Sequence, residues 1–150
     1  MRISDSIRYR LSPCSILEEF VAGVAPVKDY FPDGLRYAAT TCTTPERDAS
    51  GRFITAERVG GSLMLLKRTV FEQMIAAYPG TRHTYDFVSR KGENLDCFAL
   101  FDLLIIDEKY FPEDYAFCYR WRALGGKIWL DTEGKIDHVG VHKFRGQGLK

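Results

Sequence analysis

At 150 residues the chain has the length of one ordinary domain, enough to bury a core of useful size. Hydrophobic residues make up 45% and charged residues 27%, and 21 basic against 20 acidic side chains leave a formal net charge of +1. That balance excludes a global basic face of the kind nucleic acid requires, and the longest apolar runs, Leu63 to Leu66 and Leu103 to Ile106, exclude a membrane-spanning helix, which needs roughly 20 residues. No signal-type apolar region follows Met1, so the expected location is the cytoplasm.

Residues 1 to 58 are the least legible part of a single domain spanning 1 to 150. Ile16 to Val24 predicts a short helix, and the Pro, Gly and Thr between Pro26 and Gly51 predict irregular structure. Thr40 to Arg52 combines turn formers and charge without apolar periodicity, which predicts an exposed loop, and Phe53 to Arg58 predicts a strand. From Gly60 the signals sharpen. Ser62 to Leu66 is apolar and suits a buried strand, and Thr69 to Ala77 predicts a helix with Thr69 as cap and Glu72 as its capping-box partner. Tyr78 to Asn94 is polar, with Pro79-Gly80 and Lys91-Gly92, and predicts a mobile surface loop able to cover a ligand. Leu95 to Ile106 is apolar again.

The helix from Pro112 to Leu124 has the strongest local signature. Proline at a first helical position loses nothing by lacking an N–H, and Glu113 and Asp114 fall in the first turn, where the helix dipole favours negative charge. Phe117, Cys118, Trp121 and Leu124 recur at the spacing of one buried face, Arg120 and Arg122 point elsewhere, and Gly125-Gly126 supplies the stop. A strand near Lys127 to Leu130, a turn at Thr132 to Gly134 and a second strand from Lys135 to His142 predict a hairpin. Cys14, Cys42, Cys97 and Cys118 are scattered without CxxC spacing and are read as reduced thiols, Cys118 as a core residue. Trp121 and Trp129 are read as packing anchors, and Gly60-Gly61 as a tight turn or a close backbone approach.

The segment around Glu113-Asp114, continuing through the aromatic and Cys-x-Arg-Trp residues to LGGKIWLD and DHVG, resembles the acceptor-side half of GT-A-type glycosyltransferases, close to glycosyltransferase family 2. VGGSLMLLKRTVF, Val59 to Phe71, is similar to the strand and helix that precede this block in such enzymes, and CFALFD, Cys97 to Asp102, resembles their aromatic loop. The resemblance covers roughly residues 59 to 146. It implies an α/β fold, a partial GT-A mixed sheet with flanking helices, and transfer of a sugar from a nucleotide-activated donor to a hydroxyl acceptor. In that family the acidic pair supplies the base that takes the acceptor proton, which assigns Asp114 as general base and Glu113 as the neighbour that orients the acceptor or tunes its pKa. Read from residue type alone, both carboxylates stabilise the helix start by about 0.3 to 1 kcal/mol each.

Asp102 could meet acceptor hydroxyls, with Phe98 and Phe101 offering flat faces to sugar rings, or be an ordinary loop cap beside core aromatics. A neutral imidazole is a good divalent-metal ligand, and the resemblance implies that His138 helps hold the Mn or Mg bound to the donor diphosphate. His142 falls on the same strand face as His138, while Lys143 and Arg145 either neutralise diphosphate charge from a closing loop or form a solvated basic tail. The family's nucleotide-binding half ends in an Asp-x-Asp motif. No two aspartates here are spaced by one residue, and the nearest substitute is Asp131-Thr132-Glu133. The expected partners therefore include a separate nucleotide-binding half, as in a split or truncated enzyme. The alternative reading is a non-catalytic saccharide-binding or partner-docking fragment. Hydrolysis by Glu113 and Asp114 is disfavoured, because sequence neighbours cannot flank a scissile bond at the roughly 5 Å or more that glycosidases use.

Overall fold

In the computed structural model, which describes residues 18–29, 32–84, 96–139 and 145–148, the apolar run after Glu19 is a strand rather than a helix. Phe20–Gly23 forms β1, buried at every position, and residues 16 and 17 of the expected helix lie outside the described residues. A strand covered on both faces reads as a continuous apolar run, which periodicity cannot separate from a short buried helix. Here the neighbours decide. β1 pairs in parallel with β9 (Ile128–Asp131) and antiparallel with β4 (Leu63–Leu66), so both of its edges are hydrogen-bonded.

With β2 (Ala39–Thr41) and β3 (Phe53–Val59) these strands make a five-stranded sheet in the order β2-β3-β9-β1-β4. Every pairing except β1 with β9 is antiparallel, so the sheet is mixed and the fold is α/β. The segment before residue 59 thus contributes three of the five strands. The strand expected over Phe53 to Arg58 forms and runs one residue further. The first residues of the expected loop at 40–52 instead pair as edge strand β2, with a register shift between Thr40 and Thr41. β4 begins at Leu63 and is only half-buried, because it is the last strand of the sheet.

Alternation divides the core. Phe20, Ala22, Ile54, Ala56, Ile128 and Leu130 join one large cluster with Val70 and Met74 of α1 (Arg68–Ala77) and Phe117, Cys118 and Trp121 of α2 (Glu113–Ala123). The intervening residues Val21, Phe53 and Trp129 form a second cluster, as the period-2 geometry of a strand requires. α1 starts at Arg68 with Lys67 as N-cap and no side-chain capping bond. The expected capping box is therefore absent: Thr69 Oγ1 donates to Glu19 at 3.4 Å, and Glu72 pairs with Arg68 along the helix.

After α1 the chain makes a short 3-10 turn, Pro79–Thr81, and then β5 (Arg82–Thr84), which pairs with β6 (Asp96–Phe98) as a separate ribbon. Structure thus extends into the expected loop at 78–94, of which residues 85–94 lie outside the described residues. β7 (Leu104–Ile106) and β8 (Lys109–Phe111) form a tight hairpin. The hairpin expected over 127–142 is not found among the described residues. Both edges of β9 are taken by β1 and β3, and residues 135–137 have no strand. No helix among the described residues is long and apolar enough to cross a membrane.

Candidate functional site

α2 begins where the sequence places it, with Pro112 as N-cap one residue outside the helix and Glu113 and Asp114 in the first turn. The Pro112 carbonyl accepts from Ala116 N–H at 2.8 Å and closes the first turn. Asp114 Oδ2 accepts the backbone N–H of Gly61 at 2.9 Å, and Oδ1 accepts the N–H of Tyr115 at 2.7 Å. The carboxylate is therefore held from two directions, by the turn between β3 and β4 and by its own helix. A carboxylate oxygen carries two lone pairs, so each oxygen keeps capacity to accept a further hydrogen bond. Glu113 is exposed beside it.

Gly60 explains how the turn comes so close. Its N–H donates to the Ala38 carbonyl at 2.5 Å, and a Cβ at residue 60 would lie 2.8 Å from Ala38 Cβ. The close approach is between two backbone segments. A Cβ on Gly61 would meet Asp114 at 3.8 Å, an ordinary contact.

His138 is half-buried, with Nδ1 2.9 Å from the Pro26 carbonyl oxygen. The carbonyl can only accept, so Nδ1 carries a proton, and the neutral tautomer with that proton has Nε2 as its acceptor, the arrangement that metal-ligating histidines adopt. Pro26 bridges to Tyr37, whose neighbour Ala38 accepts from Gly60, so one strip of backbone links the surroundings of His138 to those of Asp114. The Tyr37 hydroxyl also accepts the N–H of Gln147, two residues after the exposed Arg145. Lys143 and His142 lie outside the described residues. Among the described residues no group of three His, Cys, Asp or Glu could hold a metal ion, so His138 does not compose a metal site with its neighbours there.

Asp131, first residue of the nearest substitute for Asp-x-Asp, is fully buried and engaged. Arg52 Nε donates to Oδ1 at 2.9 Å, Arg52 Nη2 bonds Oδ2, and the N–H groups of Glu133 and Gly134 each reach Oδ1 at 3.0 Å. The residue organises the turn after β9.

Phe101 stacks on Phe117 with centroids 4.2 Å apart, so one ring face is committed to packing while the residue remains 43% exposed. Asp102 is exposed, and its carbonyl accepts from Arg120 Nη1 at 3.2 Å. Arg120 does not point to solvent, as its place in the helix predicts. It is 7% exposed, and Nη1 also donates to the Leu100 carbonyl at 2.7 Å, which fixes the loop carrying Phe101 and Asp102. Leu124, by contrast, is 39% exposed, so the apolar face of α2 ends at Trp121.

A cleft of about 440 Å³ runs along α2, lined by Glu57, Arg58, Phe111, Tyr115, Tyr119 and Arg122. Arg58 lies 5.0 Å over the Tyr115 ring and donates from Nε to Thr40 Oγ1 at 3.0 Å. Burial raises the Tyr115 hydroxyl above its ordinary 10.0, against the opposing pull of Arg58 and with a further push from Asp114. The cleft adjoins the acidic pair through Tyr115 and is not itself lined by Asp114. Arg58 is a site residue that strand periodicity could not single out. Comparison with known family models, curated proteins and solved structures finds no match to the chain.

Proposed function

We propose that the chain is a glycosyltransferase-like protein of the GT-A, family 2 type, transferring a sugar from a nucleotide-activated donor to a hydroxyl acceptor. The observation that carries this reading is the Asp114 carboxylate, fixed by the N–H groups of Gly61 and Tyr115 with lone pairs left for an incoming hydroxyl. Asp114 takes the acceptor proton as general base, and Glu113 beside it orients the acceptor. Asp102 and the exposed face of Phe101 contact the acceptor from the loop that Arg120 holds. Arg145 and Lys143 neutralise donor phosphate charge, and His138 is available to a divalent ion, Mn or Mg, that the donor brings with it. The chain itself contacts the donor through these residues, with a separate nucleotide-binding half completing the site, and the activity is placed in the cytoplasm.

A second reading, a non-catalytic saccharide-binding or partner-docking module, is favoured by one observation: Asp131 spends both carboxylate oxygens on Arg52. Calorimetric titration with uridine and guanosine diphosphate sugars, with and without manganese, separates the two. Metal-dependent binding that weakens in His138→Ala supports the enzyme, and a folded chain that binds none of them supports the module. For transfer itself, Asp114→Asn is expected to lower the rate by about 100-fold or more, the usual worth of a positioned base, while donor binding persists. Full transferase activity in that variant would remove Asp114 from the role.

A further inference from the structure

A second cleft, of about 490 Å³, opens beside α2, between the 3-10 turn and β7, and shares Tyr119 with the first. Its walls are Ala77, Pro79, Gly80, Thr81, Leu104, Ile106 and the rings of Tyr78 and Tyr119, and among the described residues one charged side chain, Arg120, lines it. Arg120 is 93% removed from solvent, yet among the described residues it meets no carboxylate. Its Nη1 is used by the carbonyls of Leu100 and Asp102, and its Nε and Nη2 have no protein acceptor there. Neither nitrogen is fully buried, so both keep contact with solvent and stay open to an incoming acceptor, whereas buried charges are normally paired.

The surrounding geometry is built rather than loose. Tyr78 Oη donates to the Arg120 carbonyl at 2.9 Å, Thr81 Oγ1 donates to the Tyr78 carbonyl at 2.8 Å, and Ala99 N–H reaches the Thr81 carbonyl at 2.9 Å. These bonds tie the 3-10 turn, α2 and the strand end at Ala99 into one frame around the guanidinium. The volume falls within the range of small-molecule sites, and the composition, apolar walls with one converging polar group, is the usual one.

We propose that this cleft binds an amphiphilic monocarboxylate, with the carboxylate paired to Arg120 and the apolar chain lying against Leu104 and Ile106. Charge counting selects the head group. Among the described residues one lining cation and no lining acid match a single negative charge, whereas a phosphate dianion would need a second cation. The planar fork of arginine suits the planar carboxylate, and the hydroxyls of Tyr78 and Thr81 already donate to backbone carbonyls. Asp114 does not line this cleft, although Arg120 also holds the loop of Phe101 and Asp102, and binding here does not depend on sugar transfer.

The test is titration of the whole chain with octanoate below its micellar concentration, with octanol and acetate as controls. Octanoate is expected to bind at one site, and octanol, which lacks the charge, at least about ten-fold more weakly, as loss of a charge-assisted pair implies. Acetate, which lacks the chain, is expected not to saturate. Arg120→Lys should weaken octanoate by a similar factor. Because Arg120 also pins the Leu100 and Asp102 carbonyls, Ala77→Trp provides an independent variant: residue 77 is exposed at the end of α1, and a large ring there fills the cleft without entering the core. Loss of octanoate binding in folded Ala77→Trp is the expected result. Equal affinity for octanoate and octanol, binding unchanged by Ala77→Trp, or no binding at all would each overturn the proposal.

Discussion

Cys118 shows what a single buried position does to chemistry. The side chain has no solvent exposure, and its Sγ lies 3.7 Å from the Val59 carbonyl, to which the thiol donates. Burial pushes its pKa from an ordinary 9.0 up to about 11, with the nearby Asp114 adding to the rise and the Val59 contact opposing it. A thiol that ionises later in the folded state retains its proton where the unfolded chain has already lost it. Stability is then unaffected below pH about 9 and falls as pH rises toward about 11, by up to about 1.4 kcal/mol per pH unit. The Tyr78 and Tyr115 hydroxyls, also raised by burial, act in the same direction at higher pH, so the thiol is isolated by difference. Urea unfolding of the native chain and of Cys118→Ala across that range is expected to show a shallower loss in the variant; parallel curves would refute it. The core placement of Cys118 was legible in the sequence, because the helical stripe Phe117, Cys118, Trp121 is local information. The burial of Arg120 was not, because a charged residue on a helix is assigned to solvent unless its partners are known, and here those partners are carbonyls of a loop about twenty residues away.

Elements differ in how much of their structure is local. α2 and β3 appear within a residue of the expected bounds, since capping, periodicity and a glycine stop are written in the segment itself. β9 also lies within a residue of its expected place, but its hairpin partner and the helix expected at β1 do not follow local expectation, because which edges a strand pairs is decided by its neighbours. The β7–β8 hairpin is a third case. Its turn residues Asp107 and Glu108 both take positive φ, 49° and 63°, without being glycine. Such a pair matches the primed turn that a two-residue hairpin prefers, and Asp107-Glu108 supplies it at a steric cost that Asp-Gly avoids. Glu108→Gly is therefore expected to leave the fold intact and raise stability by about 0.5 to 1 kcal/mol, after the added chain entropy of glycine is subtracted. Equilibrium unfolding measures it. A loss of stability comparable to an ordinary strand glycine would mean that the Glu108 side chain has a role in the hairpin that outweighs its backbone strain.

The molecule as a whole has an uneven distribution of order that follows from its layers. The large cluster ties β1, β3, β9, α1 and α2 together through residues such as Phe20, Met74, Phe117 and Trp121, all at or near zero exposure. The ribbons β5–β6 and β7–β8 stand outside that sheet, each with two strands, and β7–β8 carries exposed apolar side chains, Ile105 at 62% and Tyr110 at 63%. A two-stranded ribbon is marginal by itself, so these should open without disturbing the sheet. The candidate sites sit on the boundary between the two regimes: Asp114 is anchored to the turn after β3, while Phe101 and Asp102 lie on the loop joining the ribbons and are held there by Arg120. Amide hydrogen exchange is expected to be slowest in Phe20–Gly23 and Ile128–Asp131, whose strands are paired on both sides, and fastest in Arg82–Thr84 and Lys109–Phe111. If octanoate occupies the cleft beside β7, it should slow exchange in Leu104–Ile106 and leave the central strands unchanged. Protection of the ribbons equal to that of β1 and β9 in the absence of ligand would show that the chain opens as one cooperative unit, and that the loop carrying Phe101 and Asp102 is as rigid as the sheet.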